Sequence, residues 1–185
     1  MAARLTDLPE PGDRGVRRYS PRALPAYRYV PGVRPHPTRD PSGHSYEPSP
    51  TLNRHAPWGP DDWRNLPDWL YGVDLFNLFY FWEAHEVWEG LWAATQRDTA
   101  VAMALQGLIQ IAAALLKIHM GVLPGARALA SQGLEKLRHA AAAHPALLGL
   151  DLPATTERFA EYVAPLERAV LPTIGCRVPV LRLAE

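Results

Sequence analysis

Hydrophobic positions go almost all the way round the helix that we predict from Phe76 to Trp92. This stretch contains four Phe or Tyr, three Trp, three Glu, one His and one Asn. A helix that is apolar on most sides is a buried helix, and a carboxylate ion buried without a partner costs several kcal/mol. Each of its glutamates, Glu83, Glu86 and Glu89, therefore needs a cation, a hydrogen-bond donor or a raised pKa. This requirement indicates a site without identifying a reaction.

A second long helix is predicted from Thr99 to about Met120, and it has a very broad apolar face. The connection 95–98 is short enough to make it an antiparallel neighbour of the first helix. Its long polar side chains, Gln106, Gln110 and Lys117, lie within about 40° of one another, because spacings of four and seven return to the same side. Since each buried unsatisfied amide costs about 1–3 kcal/mol, these three groups face either water or matching acceptors. The three glutamates of the first helix are candidate acceptors.

Shorter helical patterns flank this pair. A helix start is predicted at Leu66–Leu70, with Pro67 in the first turn. Gly72 is expected to separate this short piece from the main helix, which Asp74 would cap. Gly121 is expected to end the second long helix as a glycine in the left-handed conformation does.

Two further helices are predicted downstream, from Pro124 to about Ala143 and from about Ala154 to Ala164. The first has an apolar stripe and an outer face of charged and amide side chains, which is typical of a helix on the surface of a bundle. The pattern as a whole predicts an all-α fold, a bundle of four to five helices.

Prolines divide the chain into three parts. Residues 1–67 hold 13 of the 19 prolines, and proline fixes φ and removes a backbone donor. We therefore predict a mostly irregular arm, loose over about residues 1–20, which wraps the bundle through its tyrosines and tryptophans. The helical domain is expected to span 68–170, and an extended tail to follow over 171–185.

Two histidines lie in the arm within the proline-stiffened stretch Pro35–Tyr46. Turn chemistry at Asp40–Gly43 explains this stretch without a function. The alternative is that His36, Asp40 or His44 folds over the helical core and completes a metal or substrate site.

Charge and cysteine content exclude several classes of protein. Lys+Arg and Asp+Glu both number 19 in the 185 residues, so no net charge favours nucleic acid or a membrane surface as partner. Cys176 is the single cysteine, which excludes an intrachain disulfide and a cysteine-based zinc site. No signal peptide is expected, and the apolar run Ile111–Leu116 is far shorter than the roughly 18 residues of a spanning helix. We therefore expect a cytoplasmic protein.

Two blocks of the sequence carry a resemblance to a known family. They are Asn77–Glu89, with the pattern F-N-x-x-x-Y/F-x-E-A-H-E-x-W-E when Phe76 is included, and Leu105–Ala114, L-Q-G-L-I-Q-I-A-A-A, followed by Lys117. With Gly125–Ala126 opening a later helix, residues 70–165 resemble the domain-of-unknown-function 309 family. The arm also resembles an extension of some longer members. The resemblance implies a small all-helical bundle of prokaryotes with no agreed activity, and it transfers no catalytic residue.

The segment His85–Glu89 begins like the zinc-protease motif H-E-x-x-H, but Glu89 replaces the second histidine that this motif requires. A different metal site remains open. His85 and Glu89 are four residues apart, and Glu86 lies three residues from both Glu83 and Glu89, so each pair can converge on one ion. His85 and Glu86 point about 100° apart and are not expected to share an ion readily. Ligands of this kind suit a hard or borderline divalent ion.

Two hypotheses for function follow from these residues. The first is a non-catalytic, self-associating binding or structural module, a homo-oligomer that buries part of the Trp58–Trp92 surface against a partner. In this hypothesis, one polar network joins the two long helices, and Glu86→Ala lowers the stability of the protein by roughly 3–5 kcal/mol. Its members would be Asn77, Glu83, His85, Glu86, Glu89, Gln106, Gln110 and Lys117.

The second hypothesis is a metal-dependent enzyme, above all a hydrolase, with a divalent cation and a small-molecule ligand. The catalytic candidates are Glu83, Glu86 and Lys117, the last as an electrophile. The candidate metal ligands are Glu83, His85, Glu86, Glu89, His36 and His44.

Overall fold

Five α-helices form a bundle in the computed structural model, which describes residues 14–48, 58–96, 99–175 and 177–185. They are α1 Pro67–Asn77, α2 Phe81–Ala93, α3 Ala100–His119, α4 Leu123–Ala143 and α5 Leu152–Val163. Short 3-10 helices span Pro60–Asn65 and Ala164–Arg168. The strands β1 Ala146–Leu147 and β2 Leu150–Asp151 pair antiparallel before α5. The predicted all-α bundle is confirmed.

The prediction of a single helix from Phe76 to Trp92 is wrong. Helix α1 ends at Asn77, and a separate helix, α2, begins at Phe81. Phe79 adopts a left-handed φ of 69°, and the Tyr80 N–H donates to the Leu75 carbonyl at 2.8 Å. This is the hydrogen bond of a Schellman helix end. Phenylalanine occupies the position where glycine is usual, so the sequence carries no conventional stop signal there.

Gly72 does not separate two helices but lies inside α1. A side-chain carbon at this position would lie 2.1 Å from the indole nitrogen of Trp88 on α2. The glycine therefore lets the Trp88 ring pack directly against the α1 backbone. Trp69, Phe76 and Trp88 are all fully buried in this contact, with Trp88 stacked 5.8 Å from each of the other two rings.

The long helix α3 begins and ends as the sequence predicts. The Thr99 side chain caps its start by accepting from the Ala102 N–H, and Gly121 ends it with φ 74°. Against α4, Gly107 and Gly133 let the two backbones approach closely, since a Cβ on Gly133 would lie 2.9 Å from the Gly107 carbonyl.

By length and composition α3 could cross a membrane, with a mean hydropathy of 1.8 over its most apolar window. However, 67% of that window is buried inside the protein. Packing against α2 and α4 therefore accounts for its apolar character.

The segments on either side of the bundle lie against it without helical structure. Residues 15–48 contain turns but neither helix nor strand, and residues 177–185 follow an irregular path in which Val178, Leu181 and Leu183 are buried. The expectation that residues up to about 20 are loose is wrong for residues 14–20, which hydrogen bond to α1. The first thirteen residues and Cys176 lie outside the described part of the chain.

We expect Gly72→Ala to destabilise the protein by about 1–3 kcal/mol, because the added methyl group overlaps the Trp88 indole. This overlap outweighs the roughly 1 kcal/mol that alanine gains over glycine in helix propensity. Urea unfolding followed by circular dichroism measures the change. Gly175→Ala is the control, since nothing lies within 4 Å of its added methyl group; equal stability of the two variants would contradict the prediction.

Candidate functional site

Glu83 is a buried carboxylate in the first turn of α2, with 4% of the residue exposed. Its Oε1 accepts a hydrogen bond from the Tyr29 N–H at 2.8 Å and lies 3.2 Å from His44 Nε2. The His44 side chain is itself 5% exposed. The arm thus delivers both of these partners of Oε1. His44 folds over the helical core, as one of the sequence hypotheses has it, and the metal or substrate site that it would complete stays a prediction.

Burial shifts the titration of both groups. It raises the pKa of Glu83 to about 7, although the backbone N–H groups of Glu83 and Tyr29 and the charge of Arg28 act in the opposite direction. Burial lowers the pKa of His44. In both cases burial favours the neutral form, the carboxylic acid of Glu83 and the uncharged imidazole of His44.

Asp74 is a second buried carboxylate, fully inaccessible in the last turn of α1. It accepts hydrogen bonds from Arg18 Nε at 2.9 Å and from the Tyr19 and Ser20 N–H groups, both at 2.8 Å. The predicted role as an N-cap is wrong, because the helix boundary lies elsewhere. The sequence signal for this buried site is the position of Asp74 between the apolar residues Val73 and Leu75.

The left-handed residue Phe79 lies beside the arm as well. Its buried ring has the Arg14 guanidinium 4.1 Å from its centroid and that of Arg28 at 5.7 Å. Arg14 also donates to the backbone carbonyls of Asn77 and Val178. Attraction between a guanidinium and an aromatic face strengthens when both are shielded from water.

Asn77 holds the C-terminal tail instead of joining the other polar residues. Its amide donates to the Leu181 carbonyl at 2.9 Å and accepts from the Leu181 N–H at 2.8 Å. One side chain thereby replaces a pair of backbone hydrogen bonds for an extended segment. Asn77 is therefore a docking residue for the tail.

His85, Glu86 and Glu89 form a separate cluster on the outer side of α2. One ligand atom from each lies within 4.8 Å of the others, so the expected divergence of His85 and Glu86 does not keep them apart. His85 Nδ1 lies 2.9 Å from the Trp82 carbonyl, and its Nε2 lies 3.5 Å from Glu89 Oε1. Burial raises the pKa of Glu86, with Glu89 adding to the effect and His85 opposing it.

His36 approaches the same side of α2 through ring contacts. Its imidazole lies 5.1 Å from the Tyr29 ring and 5.3 Å from that of Trp82. His44 thus contacts Glu83, whereas His36 contacts aromatic rings, and the six proposed metal ligands do not form a single group in this structure.

The predicted network between the two long helices is not the arrangement found. Gln106, Gln110 and Lys117 lie half-exposed along one face of α3. Gln110 donates to Gln132 of α4 at 3.1 Å, and the Lys117 side chain lies next to Gly125 at the start of α4. The network prediction fails because it assumed one continuous helix through Asn77. After the break, α2 is a shorter helix with a different orientation, and its Glu83 faces the arm.

Two surface cavities of about 640 and 630 Å³ lie on either side of the 3-10 helix Pro60–Asn65. The first lies above Trp63 and the hairpin β1–β2, and the second lies between Trp58, Thr99 and His144. Neither is lined by the glutamates of α2, so the buried carboxylates do not open into these cavities.

The raised pKa of Glu83 predicts a pH-dependent stability. Between pH 4.5, the ordinary value, and about 7, the folded protein holds a proton that the unfolded chain releases. The stability due to Glu83 is therefore full below pH 4.5 and falls by about 3 kcal/mol as the pH rises through 7. Glutamine does not titrate, so Glu83→Gln lacks this pH dependence. As the pH rises from 4.5 to about 7, the free energy of unfolding of wild type should therefore fall relative to that of the variant.

Urea unfolding of both proteins at half-unit steps from pH 4 to 8 measures this difference. His44, Arg28 and Glu86 are present in both, which limits their contribution to the comparison. Glu157→Gln, at an exposed position on α5, controls for the loss of one carboxylate. Stability differences that stay constant with pH would contradict the prediction.

Comparison with known proteins finds one family. Residues 69–129 match the model of the family described as Domain of unknown function (DUF309), which confirms the expected resemblance over a shorter range than 70–165. No curated protein matches the chain, and no solved structure does. The segment from α1 to the first turns of α4 is therefore similar to the DUF309 family.

Proposed function

We propose that this protein is a non-catalytic helical binding module that self-associates and works in the cytoplasm. The proposal rests on the hydrogen bonds that Asp74 and Glu83 make with the arm. Both buried carboxylates hold an extended segment of chain through backbone N–H groups. Catalytic carboxylates need access to a substrate, whereas these two are enclosed by the arm.

The surface that we propose for self-association is the half-exposed face of α3. It combines methionine and alanine with amides and one lysine, at Met103, Gln106, Gln110, Ala113, Lys117 and Met120. The Trp58–Trp92 surface is a weaker candidate, because Trp63, Trp69 and Trp88 are buried inside the protein.

Gln110 supports this choice of surface. The residue is half-exposed, and its Nε2 donates to Gln132 of α4 at 3.1 Å. In a twofold contact each amide can both donate and accept, so the same face from a second copy is self-complementary.

Sedimentation velocity tests self-association. We expect wild type to form a dimer at micromolar concentration, and the double variant Gln106→Glu, Gln110→Glu to dissociate at least tenfold more readily, because like charges would face each other across the axis. Ala142→Glu, at an exposed position on α4, adds charge elsewhere and should leave the dimer intact. A wild-type chain that stays monomeric at 100-fold higher concentration would contradict the proposal.

A second candidate function, a metal-dependent hydrolase, is favoured by the cluster His85–Glu86–Glu89. If His85 donates its Nδ1–H to the Trp82 carbonyl, the lone pair of Nε2 is left for a cation. Backbone carbonyls commonly orient metal-binding histidines in this way. The 3.5 Å between Nε2 and Glu89 Oε1 is close to the roughly 3.4 Å between neighbouring ligands of a tetrahedral ion.

The wider ligand set of this candidate has less support. Glu83 is paired with the arm at Tyr29 and His44, and Lys117 packs beside Gly125. The candidate is therefore reduced to three ligands on α2, with His36 as a neighbour and water completing the coordination.

Calorimetric titration with Mn²⁺ and Zn²⁺ tests the metal site. If it exists, we expect a single ion to bind and Glu89→Gln to weaken binding at least tenfold, since it removes one anionic ligand. Glu161→Gln on the exposed side of α5 should bind as wild type does.

Unfolding of Glu86→Ala completes this test. Its side chain is 44% exposed, so we expect a stability change within about 0.5 kcal/mol instead of the 3–5 kcal/mol expected of a buried network. Absence of bindable ion in a folded wild-type protein would contradict the hydrolase candidate and leave the binding module standing.

A further inference from the structure

Arginines of the arm meet the bundle at regular intervals. Arg14, Arg18 and Arg22 are four residues apart, and they contact Asn77, Asp74 and Asp68 respectively. The order of these contacts shows that the arm runs antiparallel to α1. Arg28 follows further along, with its guanidinium 5.4 Å from the Tyr80 ring centroid.

Aromatic rings accompany these cation contacts. Arg22 lies 5.3 Å from the ring of Tyr71, and Arg14 lies 4.1 Å from that of Phe79. The α1–α2 face therefore offers a guanidinium both a carboxylate or carbonyl and an aromatic surface. This combination suits arginine better than lysine, because the planar guanidinium can donate and stack at once.

The same face also binds the backbone of the arm. Asp74 and Glu83 accept from the N–H groups of Tyr19, Ser20 and Tyr29. In the other direction, the hydroxyl of Tyr71 donates to the Ala23 carbonyl at 2.9 Å, and that of Tyr80 to the Pro25 carbonyl at 3.3 Å. Backbone bonds provide affinity for an extended peptide, and side-chain contacts provide selectivity.

The arm lies on the surface of the bundle and contributes little to its core. Within residues 14–48, the buried ones are Ser20, Tyr29, Val30 and Pro37. Arg17, Arg18 and Arg22 are exposed. Such a polar, partly solvated contact resembles an exchangeable interface more than a folded core.

The family match separates most of the acceptors from the arm. It covers Tyr71, Asp74, Asn77, Phe79 and Glu83, whereas Asp68 and the arm lie outside it. Most of the binding face therefore belongs to the matched region, and its occupant does not.

We propose that the face formed by α1 and the first turn of α2 is a binding site for extended, arginine-bearing peptide segments, and that the arm is its intramolecular occupant. This inference rests on the proposed binding function and specifies the ligand. A partner would carry arginines at four-residue intervals in an extended segment, and it would have to displace the arm.

Fluorescence anisotropy with a labelled peptide of residues 14–30 tests the site. The receptor is the full chain carrying Arg14→Ala, Arg18→Ala and Arg22→Ala, whose own arm is weakened. We expect saturable binding at least tenfold tighter than to wild type, and a loss of at least tenfold when Asp74→Asn is added. Binding should also weaken as salt is raised, because the arginine contacts are charged.

Two controls separate a specific site from general charge attraction. A receptor with Arg127→Ala, Arg138→Ala and Arg168→Ala loses the same charge from exposed positions and should bind the peptide as weakly as wild type. A peptide of identical composition with its arginines placed together should bind at least tenfold less tightly. Equal binding of the two peptides, or a folded receptor that binds neither, would overturn the proposal.

Hydrogen exchange on wild type covers the case in which the weakened receptor does not fold. Excess peptide should speed exchange of the Tyr19 and Ser20 amides, which Asp74 protects, and leave α3 amides unchanged. Unchanged exchange of both arm amides at millimolar peptide would overturn the proposal. Failure here leaves the sedimentation result unaffected, so it is distinguishable from failure of the proposed self-association.

Discussion

Burial of two carboxylates is the constraint on which the rest of this structure depends. Asp74 and Glu83 are 0% and 4% exposed, in helices whose other buried residues are apolar except Asn77. Their charge or proton must be stabilised locally, since transfer of an isolated carboxylate from water costs several kcal/mol. The arm supplies the partners: Arg18 and backbone N–H groups donate to Asp74, while the Tyr29 N–H donates to Glu83 and the His44 ring lies at hydrogen-bond distance from it. The path of an otherwise irregular segment is thereby fixed by the helices.

The break at Leu78–Tyr80 makes this arrangement possible. Left-handed φ at a non-glycine residue costs roughly 1–2 kcal/mol, and Phe79 accepts that cost while burying its whole ring. Burial of a phenylalanine is worth about 1.5–3 kcal/mol, so packing can offset the strain. The turn ends α1 after Asn77 and lets α2 start in a new direction. Asp74 and Glu83 both face the arm, although they lie in different helices: Asp74 contacts residues 18–20, and Glu83 contacts Tyr29 and His44.

Much of the fold follows from local signals in the sequence, and the site does not. Thr99 and Gly121 bound α3 because capping depends on neighbouring residues alone. The break after Asn77 could not be predicted, since it depends on Phe79 taking a conformation that its own chemistry disfavours. The apolar surroundings predicted buried glutamates without distinguishing the three, and Glu83 is buried whereas Glu86 and Glu89 have side chains 44% and 52% exposed. The contact of Glu83 with His44 could not be predicted, since 39 residues separate them. The sequence left two possibilities for the α3 amides, which could face either water or hydrogen-bond acceptors. They lie on the exposed side because α2 follows a different course from the predicted one.

The two terminal segments are held by different forces, and this difference bears on function. The tail inserts Val178, Leu181 and Leu183 into the core, so its attachment is largely hydrophobic and insensitive to salt. The arm buries Tyr29 and Val30, but it is also attached through guanidinium groups, backbone hydrogen bonds and a carboxyl group whose pKa lies near neutrality. Salt and pH act directly on contacts of that kind. Conditions that leave the bundle and its tail intact can therefore change how firmly the arm is held, and with it the accessibility of the α1–α2 face.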